Sequence, residues 1–403
     1  MIPYGRHYVD EDDIRAVADV MRGELLTQGP KAAEFERLIA DFVGVRYAVS
    51  VANGTAALHL ACLAAGLGSG DTLVTTPNTF LASANCALYV GALPVFSDID
   101  AETLNLAPQA LRQTFKKHEA VKVVVPVHFA GLPCDMPAIA EAARGSGVLV
   151  IEDACHALGA KYDDGSRVGN CRYSRMTVFS FHPVKLIAAG EGGLITTNDE
   201  ALYRKLLLLR NHGMTKIESE LVDRKQAFHG DQVNPWYYEM QELGLNYRIT
   251  DMQCALAISQ FGKLERFHAR RVEIARRYDA AFASLPEIAL PQCAHRERSA
   301  NHLYVTRIDF QKLGVTRGEV MLRLRKKGIG SQVHYIPVPY QPYYRAHGLS
   351  DGAWPEAEAY YREALTIPLY FGMSDDDVSC VIEAVTELLS GAQRKAFSVA
   401  GSR

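Results

Sequence analysis

The apolar positions of the first 250 residues alternate between two patterns. Residues 11–22 and 31–43 repeat apolar side chains at the spacing of one helix face. Residues 121–131 (VKVVVPVHFAG) and 147–155 (GVLVIEDAC) are instead nearly continuous apolar runs, rich in β-branched residues. Such runs are typical of strands that are covered on both faces, as in a parallel sheet. The alternation therefore predicts an α/β sandwich, with helices on both sides of a mostly parallel sheet.

The pattern changes after residue 250, and we interpret the chain as two domains. Residues 1–250 form a large α/β domain in this interpretation, and residues 251–403 form a smaller α+β domain. The second domain begins with one long connecting helix over residues 251–285, where the helical spacing continues without interruption. Strands are predicted after it at 302–310 and 329–337, with a further helix between them.

Composition narrows the class of protein. The 403-residue chain has 48% hydrophobic and 22% charged residues, which is ordinary for a globular protein. Its formal charge of −3 gives no electrostatic reason to expect nucleic acid or an anionic membrane as a partner. No signal peptide and no apolar stretch of the ~20 residues that span a membrane is found, so we expect a cytoplasmic protein. The eight cysteines include no C-x-x-C pair, so no metal site is expected.

Three neighbouring residues at a predicted strand end could bind an anion. Gly54, Thr55 and Ala56 directly follow the strand-like YAVSVAN and open a helix. The first N–H groups of a helix have no partner inside it, and the helix dipole favours an anion there. The Thr55 hydroxyl would add a donor for a phosphate group. The same stretch also fits a plain turn in which Asn53 and Gly54 supply the turn chemistry.

Asp153 and Lys185 are the charged candidates. Asp153 ends a buried strand, where open α/β sheets bind ligands, and could pair with a protonated ring nitrogen. It could instead cap a helix or form an ion pair. Lys185 follows Ser180 at the end of another strand and precedes small residues and glycines that let the backbone pass close to a flat ligand. A lysine there could form a Schiff base, although a lone lysine is most often a surface side chain.

Phe80 completes the candidate set, because it lies just past a third strand and could stack on an aromatic ring or pack in the core. Phosphate donors, a carboxylate, an aromatic ring and an amine are the groups that pyridoxal 5′-phosphate needs, and we predict this cofactor. The glycines of residues 66–70 follow a helix and precede a strand, the reverse of the order in a dinucleotide site. The alternative that the chain is an α/β binding protein, in which these sites coincide by chance, stays open.

The sequence resembles the DegT/DnrJ/EryC1/StrS family of sugar aminotransferases over nearly its whole length. The similar stretches, in chain order, are LTQGP, NGTAALHLA, TTPNTFLASAN, PVHFAGLPCDM, IEDACHALGAKY, FSFHPVK, GEGGLITTND, LRNHGM, LNYRITDMQCALAISQ and LTIPLYFGMSDDDV. The resemblance implies the fold-type I architecture of pyridoxal phosphate-dependent aminotransferases, with a large α/β domain and a smaller α+β C-terminal domain. It also implies a homodimer whose active sites lie between the subunits.

The resemblance assigns roles by position in this chain. Lys185 would hold the cofactor covalently and move protons, and Asp153 would keep the ring nitrogen protonated. The other cofactor contacts would come from Phe80 on the ring, from Gly54, Thr55, Ala56 and Ser180 at the phosphate, from a partner subunit through Asn246, and from His156 near the ring hydroxyl, where many relatives carry glutamine. A dehydrating branch of the family carries histidine in place of the lysine, so Lys185 argues against that branch.

The resemblance also implies transfer of an amino group from L-glutamate to a nucleotide-linked keto sugar. FSFHPVK, SANHLYVTRID and GIGSQVHYIPVPYQPYY look like the branch that aminates UDP-4-keto-6-deoxy-N-acetyl-β-L-altrosamine in pseudaminic acid synthesis. Other UDP-, dTDP- or GDP-linked keto sugars, of the bacillosamine or perosamine type, are one alternative. A non-catalytic regulatory protein is another, although it would be expected to lack the lysine or the aspartate. The candidates for substrate contact are His182, Arg210, His302, Tyr304 and His334.

Overall fold

The computed structural model describes the backbone of residues 1–400 and the side chains of residues 1–389. The helices are α1 (Glu11–Arg22), α2 (Pro30–Val43), α3 (Gly54–Ala64), α4 (Ala82–Tyr89), α5 (Pro108–Lys117), α6 (Met136–Gly145), α7 (Glu200–Arg210), α8 (Arg224–Ala227), α9 (Asp251–Phe261), α10 (Leu264–Phe282), α11 (Arg317–Lys326), α12 (Pro342–Ala346), α13 (Pro355–Glu363) and α14 (Asp375–Ala400). The strands are β1 (Tyr47–Val51), β2 (Thr72–Thr75), β3 (Leu93–Phe96), β4 (Val121–Val125), β5 (Leu149–Asp153), β6 (Met176–Ser180), β7 (Gly193–Thr197), β8 (Met214–Thr215), β9 (Phe228–His229), β10 (Gln232–Val233), β11 (Glu239–Met240), β12 (Ile288–Ala289), β13 (Tyr304–Ile308) and β14 (Ala364–Ile367). Residues 401–403 of the predicted C-terminal domain lie outside the described residues.

A seven-stranded sheet in the order β1-β7-β6-β5-β4-β2-β3 forms the centre of the fold. Strands β2 to β6 pair in parallel, and β7 is antiparallel to both of its neighbours. Both faces are covered, because neighbouring residues of one strand enter different apolar clusters. Val124 and Val150 pack with helices α2, α6 and α9, whereas Val123 and Ile151 pack with α3, α4 and α7. This double burial explains the continuous apolar runs in the sequence.

Six strands of this sheet end at one edge, which we call the carboxyl edge. β2, β3, β4, β5 and β6 run in the same direction. β1 shares that direction, since β1 and β6 are both antiparallel to β7. The segments that follow these strands therefore meet at the carboxyl edge, which is where ligands bind in open α/β sheets.

The C-terminal residues build a second apolar core around the antiparallel sheet β12-β13-β14, with α10, α11 and α14 packed on it. The helix predicted over 251–285 is divided at Gly262 and Lys263 into α9 and α10. Lys263 forms ion pairs with Asp10 and Asp13 at this break, and α9 packs against α1 and α2. The domain boundary after residue 250 stays a prediction.

No continuous strand forms at 329–337, where the sequence predicts one. This segment forms only two single bridges, Ile2 with Ile329 and Gln332 with Thr366.

Within the described part of the chain, no helix is both long enough and apolar enough to cross a membrane. The same residues contain no group of three or more histidine, cysteine, aspartate or glutamate side chains that could hold a metal ion.

Candidate active site

A cavity of about 890 Å³ opens at the carboxyl edge of the central sheet. Its volume lies within the ~300–1,000 Å³ that small-molecule sites occupy. The C-terminal part of the chain closes one side of it with Gln332, Tyr335 and Gln341. The sequence-predicted residues that line the cavity are Gly54, Thr55, Ala56, Phe80, Asp153, His156, Ser180, His182, Lys185, His302 and His334.

The first turn of α3 forms one end of the cavity. Asn53 caps this helix, since its Oδ1 accepts the N–H of Ala56 at 2.8 Å. The Ala56 amide is therefore already paired, and the N–H groups of Gly54 and Thr55 are the ones that face an incoming anion. A Cβ at Gly54 would lie 3.2 Å from the Oγ of Ser180. Glycine at this position lets the start of α3 pass close to Ser180, and both then line the same end of the cavity.

The carboxylate of Asp153 is buried at the end of β5. Its Oδ2 accepts the hydroxyl of Ser83 at 2.6 Å, and its Oδ1 accepts the N–H of Cys155 at 3.1 Å. The backbone of Asp153 is held as well, because its N–H donates to the carbonyl of Pro126 at 2.9 Å and its carbonyl accepts the N–H of His128 at 3.0 Å. A carboxylate fixed in this way can hold a protonated ring nitrogen in one orientation.

Lys185 lies in the segment after β6 and faces the same cavity as Asp153. Its N–H donates to the carbonyl of His182 at 2.8 Å, which closes a turn. Burial lowers the pKa of Lys185, although Cys155 and Asp153 oppose this change. Burial also raises the pKa of the Cys155 thiol well above its ordinary range. The thiol is therefore neutral near pH 7, and Lys185 supplies the nucleophilic amine of the cavity.

Neutral imidazoles form another part of the cavity wall. The rings of His156 and His302 lie 4.4 Å apart, and the Oη of Tyr335 lies 3.3 Å from the Nε2 of His156. Burial lowers the pKa of His156 and of His302 well below the ordinary range, and the charge of Lys185 adds to the effect. Burial lowers the pKa of His334 to about 3. Each neutral ring can donate one hydrogen bond and accept another.

Two ring nitrogens of this wall are left for a ligand. The Nδ1 atoms of His156 and His302 are buried and have no hydrogen-bond partner in the part of the chain that the structure describes. Buried polar atoms are nearly always paired in native proteins. These two atoms therefore suit a bound molecule with hydroxyl groups.

Phe80 and His182 lie at the mouth of the cavity. The Phe80 side chain is 57% exposed, and its ring centre is 6.3 Å from that of Tyr335. His182 is exposed to solvent. An exposed aromatic ring above a cavity has a free face on which a flat ligand can stack.

Three predicted residues lie outside the cavity of this chain. Arg210 donates to Glu36 at 2.6 Å and to the carbonyl of Ser50 at 2.7 Å, so its charge is already neutralised. Tyr304 points into the C-terminal core, where its hydroxyl donates to Asp279 at 2.8 Å. Neither side chain lines the cavity of this chain, and a substrate contact for either stays a prediction. Asn246 pairs through its backbone with Asn211, and its role in a partner's site stays a prediction.

Sequence reasoning missed Ser83 and Thr79, which both line the cavity. They lie in the segment TTPNTFLASAN, in which only Phe80 was singled out. Thr79 precedes α4 and Ser83 lies in its first turn, so helical spacing does not relate the two side chains. No signal in the sequence identifies them as neighbours of Asp153.

The residues of the cavity fit pyridoxal phosphate. The open first turn of α3 suits the phosphate, Asp153 suits the ring nitrogen, and Lys185 suits the carbonyl carbon. The unpaired Nδ1 of His156 suits the ring hydroxyl. The fold and the cavity are those of the pyridoxal phosphate-dependent class of aminotransferases.

The chain belongs to the DegT/DnrJ/EryC1/StrS aminotransferase family, whose sequence profile it matches over residues 7–386. It is 41% identical to the spore coat polysaccharide biosynthesis protein SpsC of Bacillus subtilis over 393 residues, which cover 97% of this chain and 98% of SpsC. The structure is similar to that of Helicobacter pylori PseC, an aminotransferase involved in the biosynthesis of pseudoaminic acid. The TM-score is 0.87 and the identity 28%, over 97% of this chain and 99% of PseC.

The putative sugar aminotransferase Spr1654 of Streptococcus pneumoniae is also similar. Its PMP form gives a TM-score of 0.87 at 29% identity, over 97% of this chain and 100% of Spr1654. Its PLP form gives a TM-score of 0.85 at 28% identity, over 97% and 99% of the two chains. The predicted family and the predicted α/β fold class are confirmed, and the two forms of Spr1654 support the predicted cofactor.

Proposed function

We propose that this chain transfers the amino group of L-glutamate to a nucleotide-linked keto sugar, with pyridoxal phosphate as its cofactor. The observation that carries the proposal is the cavity shared by Lys185 and Asp153 beside the open first turn of α3. The first candidate substrate is UDP-4-keto-6-deoxy-N-acetyl-β-L-altrosamine, which would become the 4-amino sugar. The structural similarity to PseC supports this candidate.

A second candidate is another UDP-, dTDP- or GDP-linked keto sugar, of the bacillosamine or perosamine type. The observation that favours it is the identity of 41% to SpsC, a spore coat polysaccharide biosynthesis protein, compared with 28% to PseC. For either substrate, we propose that the protein acts in the cytoplasm, as we expect from the sequence.

Lys185 is the central catalytic residue of the proposal. Bound pyridoxal phosphate supplies an electrophilic carbonyl carbon and an electron-accepting ring. Lys185 would hold the cofactor covalently at this carbon, and its Nζ would be free again once the amino donor has taken its place. The freed Nζ is a base in its neutral form, which the lowered pKa favours. It accepts the proton from the α-carbon of L-glutamate, and in the second half-reaction it delivers a proton to the sugar carbon that receives the amine.

The other residues bind and orient. Asp153 holds the ring nitrogen protonated, so that the ring can take up negative charge. Phe80 covers one face of the ring at the mouth of the cavity. The phosphate is bound by the N–H groups of Gly54 and Thr55 together with the hydroxyls of Thr55 and Ser180. His156 binds the ring hydroxyl, and His182, His302 and His334 are candidates for the sugar.

The cavity of one chain is poor in positive charge. Among the described residues that line it, Lys185 is the one lysine or arginine, and Glu191 adds a negative charge. A nucleoside diphosphate and a dicarboxylate amino donor need cations. We therefore propose that a second copy of the chain completes the site, with Asn246 reaching the phosphate. Lys216 and Arg248 line a surface depression near Asn246 and could supply the missing charge.

A two-step absorbance experiment tests the function. L-glutamate is added to the cofactor-loaded protein, and the visible cofactor band is expected to fade. The donor is removed, the UDP-linked 4-keto sugar is added, and the band is expected to return as an amino sugar forms. If L-glutamate bleaches the band and this sugar does not restore it, the substrate is one of the other nucleotide keto sugars. If L-glutamate leaves the band unchanged, the protein binds the cofactor without transamination, and the proposal is wrong.

A further inference from the structure

Two buried hydroxyl groups form a hydrogen-bonded series with the carboxylate of Asp153. The Oγ of Ser83 lies 2.6 Å from the Oδ2 of Asp153, and the Oγ1 of Thr79 lies 2.7 Å from the Oγ of Ser83. The side chains are nearly solvent-free, since Ser83 is 1% exposed, Thr79 2% and Asp153 5%. Both residues lie in the stretch TTPNTFLASAN, but the family resemblance assigns no role to either hydroxyl, and the reaction described above uses neither.

The direction of the hydrogen bonds follows from the number of protons. A serine hydroxyl has one proton, and an ionised carboxylate can only accept. Ser83 therefore donates to Asp153, and Thr79 has to donate to Ser83. The three groups form a one-way series that ends on the carboxylate, and each bond in such a series strengthens the next.

This series fixes the rotation of the carboxylate, which is the one movement left to Asp153. Its backbone is held by the carbonyl of Pro126 and the N–H of His128, and Oδ1 accepts the N–H of Cys155. The bond from Ser83 to Oδ2 stops rotation of the carboxylate about its own axis. Both oxygens then have one protein donor each, and their remaining lone pairs are left for the cavity.

The same segment also positions Phe80. The N–H of Ser83 donates to the carbonyl of Phe80 at 3.3 Å, in the turn that opens α4. A movement of Ser83 would therefore disturb both the residue that stacks on the ring and the residue that binds the ring nitrogen.

We propose that Ser83 is a positioning residue that aims the Asp153 carboxylate at the ring nitrogen of the cofactor, and that Thr79 orders Ser83 for this task. The inference rests on the proposed function, because it assumes that Asp153 binds the ring nitrogen. It assigns to Ser83 and Thr79 no contact with the cofactor or with the substrate.

Graded substitutions test the proposal. Ser83→Ala removes the donor, Ser83→Cys keeps a weaker donor of similar shape, and Thr79→Val removes the upstream hydroxyl with little change in volume. The readouts are the affinity of the apo protein for pyridoxal phosphate, the pH titration of the visible band of the holo protein, and the single-turnover rate with L-glutamate. We expect Ser83→Ala to lower the single-turnover rate about 10- to 100-fold, the range of supporting residues at other sites. Ser83→Cys should lie between it and the wild type.

The double substitution separates positioning from packing. If Thr79 acts only through Ser83, then Thr79→Val should weaken the wild type and have no further effect in the Ser83→Ala background. Thr306→Val is the matched control, because the Thr306 hydroxyl is equally buried and donates to the carbonyl of Leu365 at 2.9 Å in β13, away from the cavity. This control should leave all three readouts unchanged.

The outcomes are distinguishable from a failure of the proposed function. Cofactor affinity and the pH titration of the band report on Asp153 whether or not L-glutamate reacts. If the wild type does not transaminate and Ser83→Ala still shifts both, the positioning role stands and the proposed function falls. If Ser83→Ala matches the wild type in all readouts, or if it changes them no more than Thr306→Val does, Ser83 is a packing residue and the inference is wrong.

Discussion

The amine of Lys185 differs from an ordinary surface lysine in its surroundings. Burial lowers its pKa, and the neutral thiol of Cys155 and the carboxylate of Asp153 lie nearby. We expect Lys185→Ala to lower the single-turnover rate with L-glutamate by at least about 10²-fold, because a positioned proton acceptor contributes this much or more. Cofactor binding, measured by equilibrium dialysis, should weaken and not vanish, since Gly54, Thr55 and Asp153 remain. Transamination at the wild-type rate by this variant would contradict the role of Lys185.

The buried histidines predict how stability depends on pH. The pKa values of His156, His302 and His334 lie below the ordinary value of 6.5, and that of His334 is about 3. Below pH 6.5 the unfolded chain binds protons that the folded chain cannot, so the free energy of unfolding falls as the pH decreases. Each such histidine contributes a slope of up to ~1.4 kcal/mol per pH unit. For His334 the window extends from pH 6.5 down to about 3.

Urea unfolding of the apo protein at several pH values between 7 and 5 checks this dependence. His334→Gln should give a shallower loss of stability than the wild type, because one buried titrating ring is gone. His7→Gln serves as the control, since His7 is exposed, and it should keep the wild-type slope. Equal slopes for the wild type and His334→Gln would show that His334 is protonated in the folded state.

The end of β5 presents carboxylates to both faces of the sheet. Asp153 points to the cavity, whereas Glu152 lies in a solvent-free cluster on the other face, where it accepts hydrogen bonds from His128 at 2.9 Å and from Tyr162 at 2.6 Å. Ser174 and Thr177 donate to its other oxygen. Burial alone would raise the pKa of Glu152, but the bonds from these donors lower it below the ordinary value.

Glu152→Gln is therefore expected to destabilise the fold. A glutamine can accept at one atom only, so at least one of the donors to Oε1 or Oε2 loses its partner, at a cost of about 1–3 kcal/mol. The stabilisation by the native carboxylate is present above the unfolded pKa of about 4.3 and is lost as the pH falls through the lower folded pKa. Denaturant unfolding at pH 7 measures the difference. Glu119→Gln, at an exposed position, should change stability by less than about 0.5 kcal/mol.

The strands and their common edge were predictable, because apolar periodicity reports burial directly. Gly54, Asp153 and Lys185 could be found since each follows a strand, and parallel strands end together. Arg210 and Tyr304 could not be judged in this way. The partner of Arg210, Glu36, lies 174 residues away in the sequence, and that of Tyr304, Asp279, lies 25 residues away. The break between α9 and α10 was missed because the apolar spacing continues through Gly262.

One segment of the chain exposes large apolar side chains that a partner subunit would cover. The large apolar side chains exposed between residues 217 and 243 are Ile217, Val222, Trp236, Tyr238, Met240 and Leu243. A concentration of large exposed apolar side chains in one segment is typical of an interaction surface. This segment leads to Asn246, the residue for which we propose a role in the partner's cavity. A closed two-fold dimer would cover two such surfaces and complete two cavities together.

Mixing two inactive variants tests this arrangement. Lys185→Ala and Asn246→Ala are each expected to be impaired alone. If Asn246 acts across the interface, a dimer with one chain of each variant has one cavity with both defects and one with none. After unfolding and refolding of an equal mixture, random pairing should restore about one quarter of the wild-type activity.

The control for this experiment comes from the cavity itself. Lys185 and Asp153 line the same cavity of one chain, so every cavity of a dimer that combines Lys185→Ala with Asp153→Asn lacks one of the two residues. No activity should return from that mixture, although the chains exchange in the same way. Recovery in the first mixture and not in the second would place Asn246 and Lys185 of one active site on different chains. Recovery in neither would mean that Asn246 acts within its own chain, and the shared active site would have to be abandoned.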